Sequence, residues 1–144
     1  MKALKLAALV ALAAPAFAQT PAPPPTLTPL PAGNLAQFKV SGGQRLVTYD
    51  LTKDFPEAKG LIYTQTRWVI PPGAGREMHS HKDDLELQHV VSGTLTVQRQ
   101  GQPPVSYPAG STVINDTATV HMWANLGKEP LVILNTNVRK GEAR

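Results

Sequence analysis

The chain contains no cysteine, which excludes a disulfide framework, thiolate metal ligands and thiol catalysis. It also lacks any sustained helical period: no apolar repeat persists over three turns, and Pro71-Pro72 and Pro103-Pro104 interrupt any that starts. No serine nucleophile elbow, phosphate-cradling glycine loop or dinucleotide fingerprint occurs. Apart from Glu86 there is no obvious inward carboxylate that would make the pair needed for glycoside hydrolysis. There is no internal repeat, and the length suits one domain. The charge excess is small: 14 Lys and Arg against 10 Asp and Glu give +4, and two of those lysines, Lys2 and Lys5, lie in the first 18 residues. Without that segment the balance is 12 minus 10, or +2, which excludes the concentrated basic face of a nucleic-acid binder.

What is present begins with MKALKLAALVALAAPAFA, a basic start, an uninterrupted apolar run and the small-x-small ending Ala16-Phe17-Ala18. Residues 1–18 read as a secretory signal peptide, and their apolar run is short of the ~20 residues of a membrane span. The expectation is a periplasmic or secreted protein with no membrane attachment once the leader is removed. Residues 19–34 follow as a Pro-rich linker, with six prolines between Thr20 and Pro31, expected to be an extended, mobile spacer. The domain proper is placed at residues 35–144.

From Phe38 onward the sequence breaks into short apolar-polar alternations separated by Gly and Pro. Strands are expected at Arg45–Leu51, Leu61–Ile70, Leu85–Val91, Thr94–Gln100, Val113–Ile114, Val120–Asn125 and Leu131–Val138. This is an all-β, antiparallel pattern, a small jelly-roll sandwich or barrel. Ser92-Gly93 and Gln100-Gly101 read as hairpin turns, so Leu85–Val91 is expected to pair with Thr94–Gln100.

The chemistry is concentrated in GAGREMHSHKDDLELQHVVSG, from Gly73 to Gly93. In extended chain His79 and His81 point to one face and can offer nitrogens to a single point, and Glu86 has a turn's worth of chain in which to come back. Two His and a carboxylate leave an ion under-coordinated. The one His downstream of this block is His121, in GSTVINDTATVHMWAN.

These two blocks resemble the two motifs of the cupin superfamily. The first reads G-x5-H-x-H-x4-E-x6-G and matches at every position. The second, G-x5-P-x-G-x2-H-x3-N, is kept in spacing by Gly110, His121 and Asn125, with Asp116 in the Pro place and Ala118 in the second Gly place. The resemblance implies a single-domain cupin in which His79, His81, Glu86 and His121 hold one transition-metal ion per chain, Fe, Mn, Cu, Zn or Ni. It further implies a small metalloenzyme acting on an oxygen-rich small molecule or carbohydrate, by oxygen-dependent oxidation or by Lewis-acid isomerase or lyase chemistry, with Glu86 as the candidate base. The alternative is a non-catalytic, metal-dependent ligand-binding or sensor module, since the fold alone does not set function.

Around this set, Gln88 shares the face of Glu86 and Trp123 that of His121, so both are expected to line the substrate space. His89 falls on the opposite face and is expected at the surface. Asn125 suits a turn or backbone hydrogen-bonding role. Arg67 is expected outward, Tyr63 and Thr96 are not assigned a face, and Lys82, Asp83 and Asp84 read as a solvated loop. A homodimer is expected, because a small sandwich without disulfides leaves edge strands to cover.

Overall fold

A computed structural model describes Thr26–Leu27 and residues 43–141; the leader expected at residues 1–18 lies outside them. Ten strands are described: β1 (Thr26–Leu27), β2 (Gln44–Asp50), β3 (Leu61–Ile70), β4 (Gly75–Ser80), β5 (Asp84–Ser92), β6 (Thr94–Arg99), β7 (Val105–Pro108), β8 (Thr112–Asn115), β9 (Val120–Ala124) and β10 (Leu131–Lys140). They form two antiparallel five-stranded sheets. The first has the order β1-β7-β6-β9-β4 and the second β2-β3-β10-β5-β8, the all-β jelly roll that the alternation predicts. Apart from two 3-10 turns at Leu51–Lys53 and Pro56–Ala58, no helix interrupts the described residues.

One pairing differs from expectation. β5 and β6 do not form a hairpin, because β5 pairs with β10 and β8 whereas β6 pairs with β7 and β9. Gly93, at φ 81°, turns the chain from one sheet into the other. A Cβ there would lie 3.0 Å from Leu131 Cα and 3.2 Å from the Pro130 carbonyl, so the corner needs both the left-handed backbone and the missing side chain. Gln100-Gly101 does close a hairpin, between β6 and β7. Within the expected spacer, Thr26 and Leu27 pair with Ser106 and Val105 as an edge strand, so the linker is tied to the first sheet at that point.

The inward residues divide the interior into two zones. Ile70, Val90, Leu95, Val97, Val113, Trp123, Leu131 and Ile133 form the apolar core. Burial of this kind is worth ~25 cal/mol per Å² of apolar surface and drives the two sheets together. Further along the same strands the inward positions turn polar. In register across the second sheet, Thr66, Asn135, Gln88 and Val113 form one row, and Thr64, Asn137, Glu86 and Asn115 the next. Polarity here does not mean exposure: Thr64, Thr66, Glu86, Gln88, Asn115 and Asn135 are all buried.

Asn125 secures the apolar end. Its side-chain amide donates to the carbonyls of Ile70 (2.9 Å) and Glu129 (2.8 Å) and its oxygen accepts from Gly127 N–H (3.0 Å), the turn role its sequence position suggests. The turn before His121, where Pro and Gly are missing, is built differently. Asp116 accepts from Ala118 N–H (3.1 Å) and Thr119 Oγ1 (2.8 Å), an Asx turn that needs neither residue.

Candidate metal centre

β4 and β9 run side by side at the edge of the first sheet, and a bulge between Arg76 and His79 places His79 directly opposite His121. Bulges re-aim side chains in this way. β4 ends at Ser80, and His81 follows as the chain leaves for the second sheet; its N–H donates to the Thr119 carbonyl (3.0 Å). That bond ties the corner at His81 to the Asx turn before His121. After Lys82 and Asp83, β5 brings Glu86 inward on the second sheet. The site therefore spans both sheets, with His81 at the crossing.

The three imidazoles converge. One ligand nitrogen from each of His79, His81 and His121 lies within 4.8 Å of the others, and their ring centroids are 4.7 to 5.0 Å apart. The Nε2 atoms of His81 and His121 are 3.0 Å apart. His79 Nδ1 is 2.8 Å from the Glu77 carbonyl, to which it donates, so the lone pair falls on Nε2, which is buried without a partner. Glu86 Oε2 stands 3.6 Å from His81 Nε2. A buried lone pair without a donor, beside two more imidazoles, fits a borderline divalent ion, and Glu86, close to His81, lies outside the group of three.

Amides hold the carboxylate. Asn135 donates to Glu86 Oε1 (2.7 Å) and Asn115 to Glu86 Oε2 (3.1 Å), and Asn115 also reaches Gln88 Oε1 at 3.3 Å. From the other side, Arg99 donates to Thr119 Oγ1 (3.0 Å) and the Ile114 carbonyl (2.7 Å), and lies 3.5 Å from Asn115 Oδ1. The motifs single out none of Asn115, Asn135 and Arg99. A signal for one of them is present in β10, where the alternate positions Leu131, Ile133, Asn135 and Asn137 change from apolar to amide partway along the strand.

The remaining candidates are placed as follows. Gln88 is wholly buried and faces inward beside Glu86. Trp123 is buried in the apolar core, two residues from His121. His89 is exposed, with Nδ1 2.9 Å from Thr112 Oγ1, and Arg67 is exposed. Thr96 is buried, its hydroxyl 3.2 Å from Ser106 Oγ, and Tyr63 is half-buried. Lys82 and Asp83 are exposed, while Asp84 turns back to accept from the Asn137 amide on both oxygens at 3.0 Å.

Burial sets the protonation states. It lowers His79 to about 4 and His121 to about 3, neighbouring histidines adding to the effect in both, and it lowers His81 as well. Neutral imidazoles are the form that ligates. Burial acts oppositely on Glu86, raising its pKa, with the Asn115 bond partly countering.

In the metal-free chain the unfolded histidines take protons near 6.5 while the folded ones resist them. Their contribution to stability is complete above that value and is lost as pH falls toward about 4 and 3. Glu86 has the reverse sign, its contribution being lost as pH rises above 4.5 through its raised value. Three groups outweigh one. Calorimetry of the chelator-treated protein is expected to show a melting temperature that falls steadily between pH 6.5 and pH 4, and more gently in His121→Ala. A profile flat across that window would contradict the assigned burial.

Comparison with known proteins agrees with this architecture. Residues 66–137 match the family model described as Cupin domain. Among solved structures, the cupin domain of Schizosaccharomyces pombe Cnp3 is similar at 13% identity and TM-score 0.55, over 74% of this chain and 72% of that one. An RmlC-like cupin family protein from Methanocaldococcus jannaschii, with a double-stranded β-helix fold, is similar at 17% identity and TM-score 0.54, over 72% and 88%. Oxalate decarboxylase from Bacillus subtilis, in a structure concerned with its Mn(II) centres, shares 27% identity at TM-score 0.50, over 76% of this chain but only 29% of that one. A search of curated protein sequences gave no match.

Proposed function

We propose, from the premise that the chain belongs to the cupin domain family, that His79, His81 and His121, with Glu86, hold one transition-metal ion, and that the protein is an exported metalloenzyme acting on an oxygen-rich small molecule or carbohydrate. The observation that carries this reading is the convergence of three neutral, inward imidazoles on one point. Bound there, such an ion supplies Lewis acidity or, if it is redox-active, electron transfer. Likeness to oxalate decarboxylase makes Mn(II) the first ion to test, although the chain spans only 29% of that protein's length.

The chain's own residues contribute the rest. Glu86 is gripped on both oxygens by Asn115 and Asn135, and its raised pKa suits it to take up a proton from a bound substrate. Gln88 presents a buried amide beside it. In this reading the protein also works as a homodimer: Val69, Leu85, Val91 and Ile114 stand exposed on the outer side of the second sheet, apolar surface that a second copy would cover.

Metal analysis of the protein purified without added ions or a His-tag tests the reading, with about one transition-metal ion per chain expected from a four-ligand site. Oxygen-rich compounds should then perturb the spectrum of the Co(II)-substituted chain and be converted. Ligands that perturb it and are never converted would favour the binding-module alternative, and a metal-free protein that takes up no ion would overturn the reading.

A further inference from the structure

The hydrogen bonds around Glu86 fix more than Glu86. A carboxylate only accepts, so both amides that touch it must turn nitrogen toward it. Asn135, donating through Nδ2, is left with Oδ1 facing no donor; Asn115, donating to Gln88 Oε1 as well, leaves Gln88 with Nε2 facing no acceptor. These two atoms are the free acceptor and free donor of a directly opposed cross-strand pair, since Gln88 and Asn135 are register partners on β5 and β10. Both side chains are buried. An unpaired donor and an unpaired acceptor on neighbouring buried residues each carry a desolvation cost, which one ligand group able to both give and take a hydrogen bond removes.

We infer that Gln88 and Asn135 form the recognition pair of this site, and that the group they recognise is a neutral hydroxyl, as on a polyol, sugar fragment or hydroxy acid, in preference to a second carboxylate. A hydroxyl accepts from Gln88 Nε2 and donates to Asn135 Oδ1. A carboxylate has no proton to give, so it would set its own oxygens against Asn135 Oδ1 with the Glu86 charge behind it. Among the described residues, no Lys or Arg side chain hydrogen-bonds Glu86, Gln88 or Asn135, and Arg76 acts on Glu86 only through its charge, as the last of several influences. Arg99 is engaged with Thr119, the Ile114 carbonyl and Asn115. The inference rests on the metal-site reading above and narrows its substrate class.

The test uses the full chain loaded with Co(II), with metal content measured first, and reads dissociation constants for glycolate and acetate from the metal's absorption. Glycolate and acetate carry the same charge and differ by the hydroxyl, so their ratio isolates its recognition. In Gln88→Leu the preference for glycolate over acetate is expected to fall about tenfold, the worth of one buried hydrogen bond, with acetate affinity held within about twofold. Gln88→Glu keeps the acceptor that Asn115 uses but replaces the free donor, and is expected to lower the same ratio, which keeps the test decisive if the Leu variant does not fold. An unchanged ratio in a variant that retains its metal overturns the recognition pair alone. Failure to take up Co(II) overturns the metal-site reading and this one with it.

Discussion

His121→Ala is expected to leave the purified protein nearly free of metal while the chain still folds. His121 lies opposite His79 and within 3.0 Å of His81 Nε2, so its imidazole is central to the cluster. Loss of a residue that merely orients a metal ligand costs about 10–100-fold in affinity, and loss of a ligand itself should cost at least as much. His81→Ala should behave alike. His89→Ala is the control, because its exposed ring bonds to Thr112 on the outer side of the second sheet. Metal content by elemental analysis decides the matter, and equal loss in the His89 variant would contradict the assignment of faces.

The second large effect is expected at a residue with no side chain. A Cβ on Gly75 would collide with the Trp123 carbonyl oxygen and lie 2.8 Å from Ala124 Cα and 3.0 Å from Ala124 Cβ. Two of these atoms are backbone, so no rotamer change relieves the contact and β4 must move off β9. Overpacking costs about 1–3 kcal/mol and sometimes more, and a rigid contact places Gly75→Ala at the upper end, roughly 3 kcal/mol. For a domain of about 100 residues that corresponds to a fall of roughly 10–20 °C in melting temperature. Metal affinity should fall with it, because the same strand pair sets His79 against His121. Gly101→Ala offers the comparison: at φ 73° with open space around it, it bears only the conformational cost of about 1–2 kcal/mol. Equal thermal shifts in the two variants would show that β4 and β9 are not packed as described.

Much of this is legible from residue types because burial is one-sided. β3 has the bounds that its pattern predicts, Leu61–Ile70, since inward and outward residues alternate along most of its length. β4 gives no such pattern, since its bulge puts Glu77 and Met78 both at the surface and destroys the alternation. The β5 to β6 connection departs from expectation for a different reason. Ser-Gly between two alternating runs is compatible with a hairpin inside one sheet and with a corner between two, and only long-range pairing with β10 and β9 distinguishes them. At the site, the spacing of the two motifs points to His79, His81 and His121, which the fold brings together. The amides that grip Glu86 come from β8 and β10, 29 and 49 residues further along the chain, and nothing local ties them to it.

The pairing of β4 with β9 also orders events in time. Before folding, the chain offers only the residues close in sequence, His79, His81 and Glu86, because His121 is 40 residues from His81. The three imidazoles come together when β4 pairs with β9, so metal capture by this cluster would be a step coupled to folding. An ion held there would accordingly be drawn from the compartment in which the chain finishes folding, and the metal supply there, as much as the ligand chemistry, would select its identity.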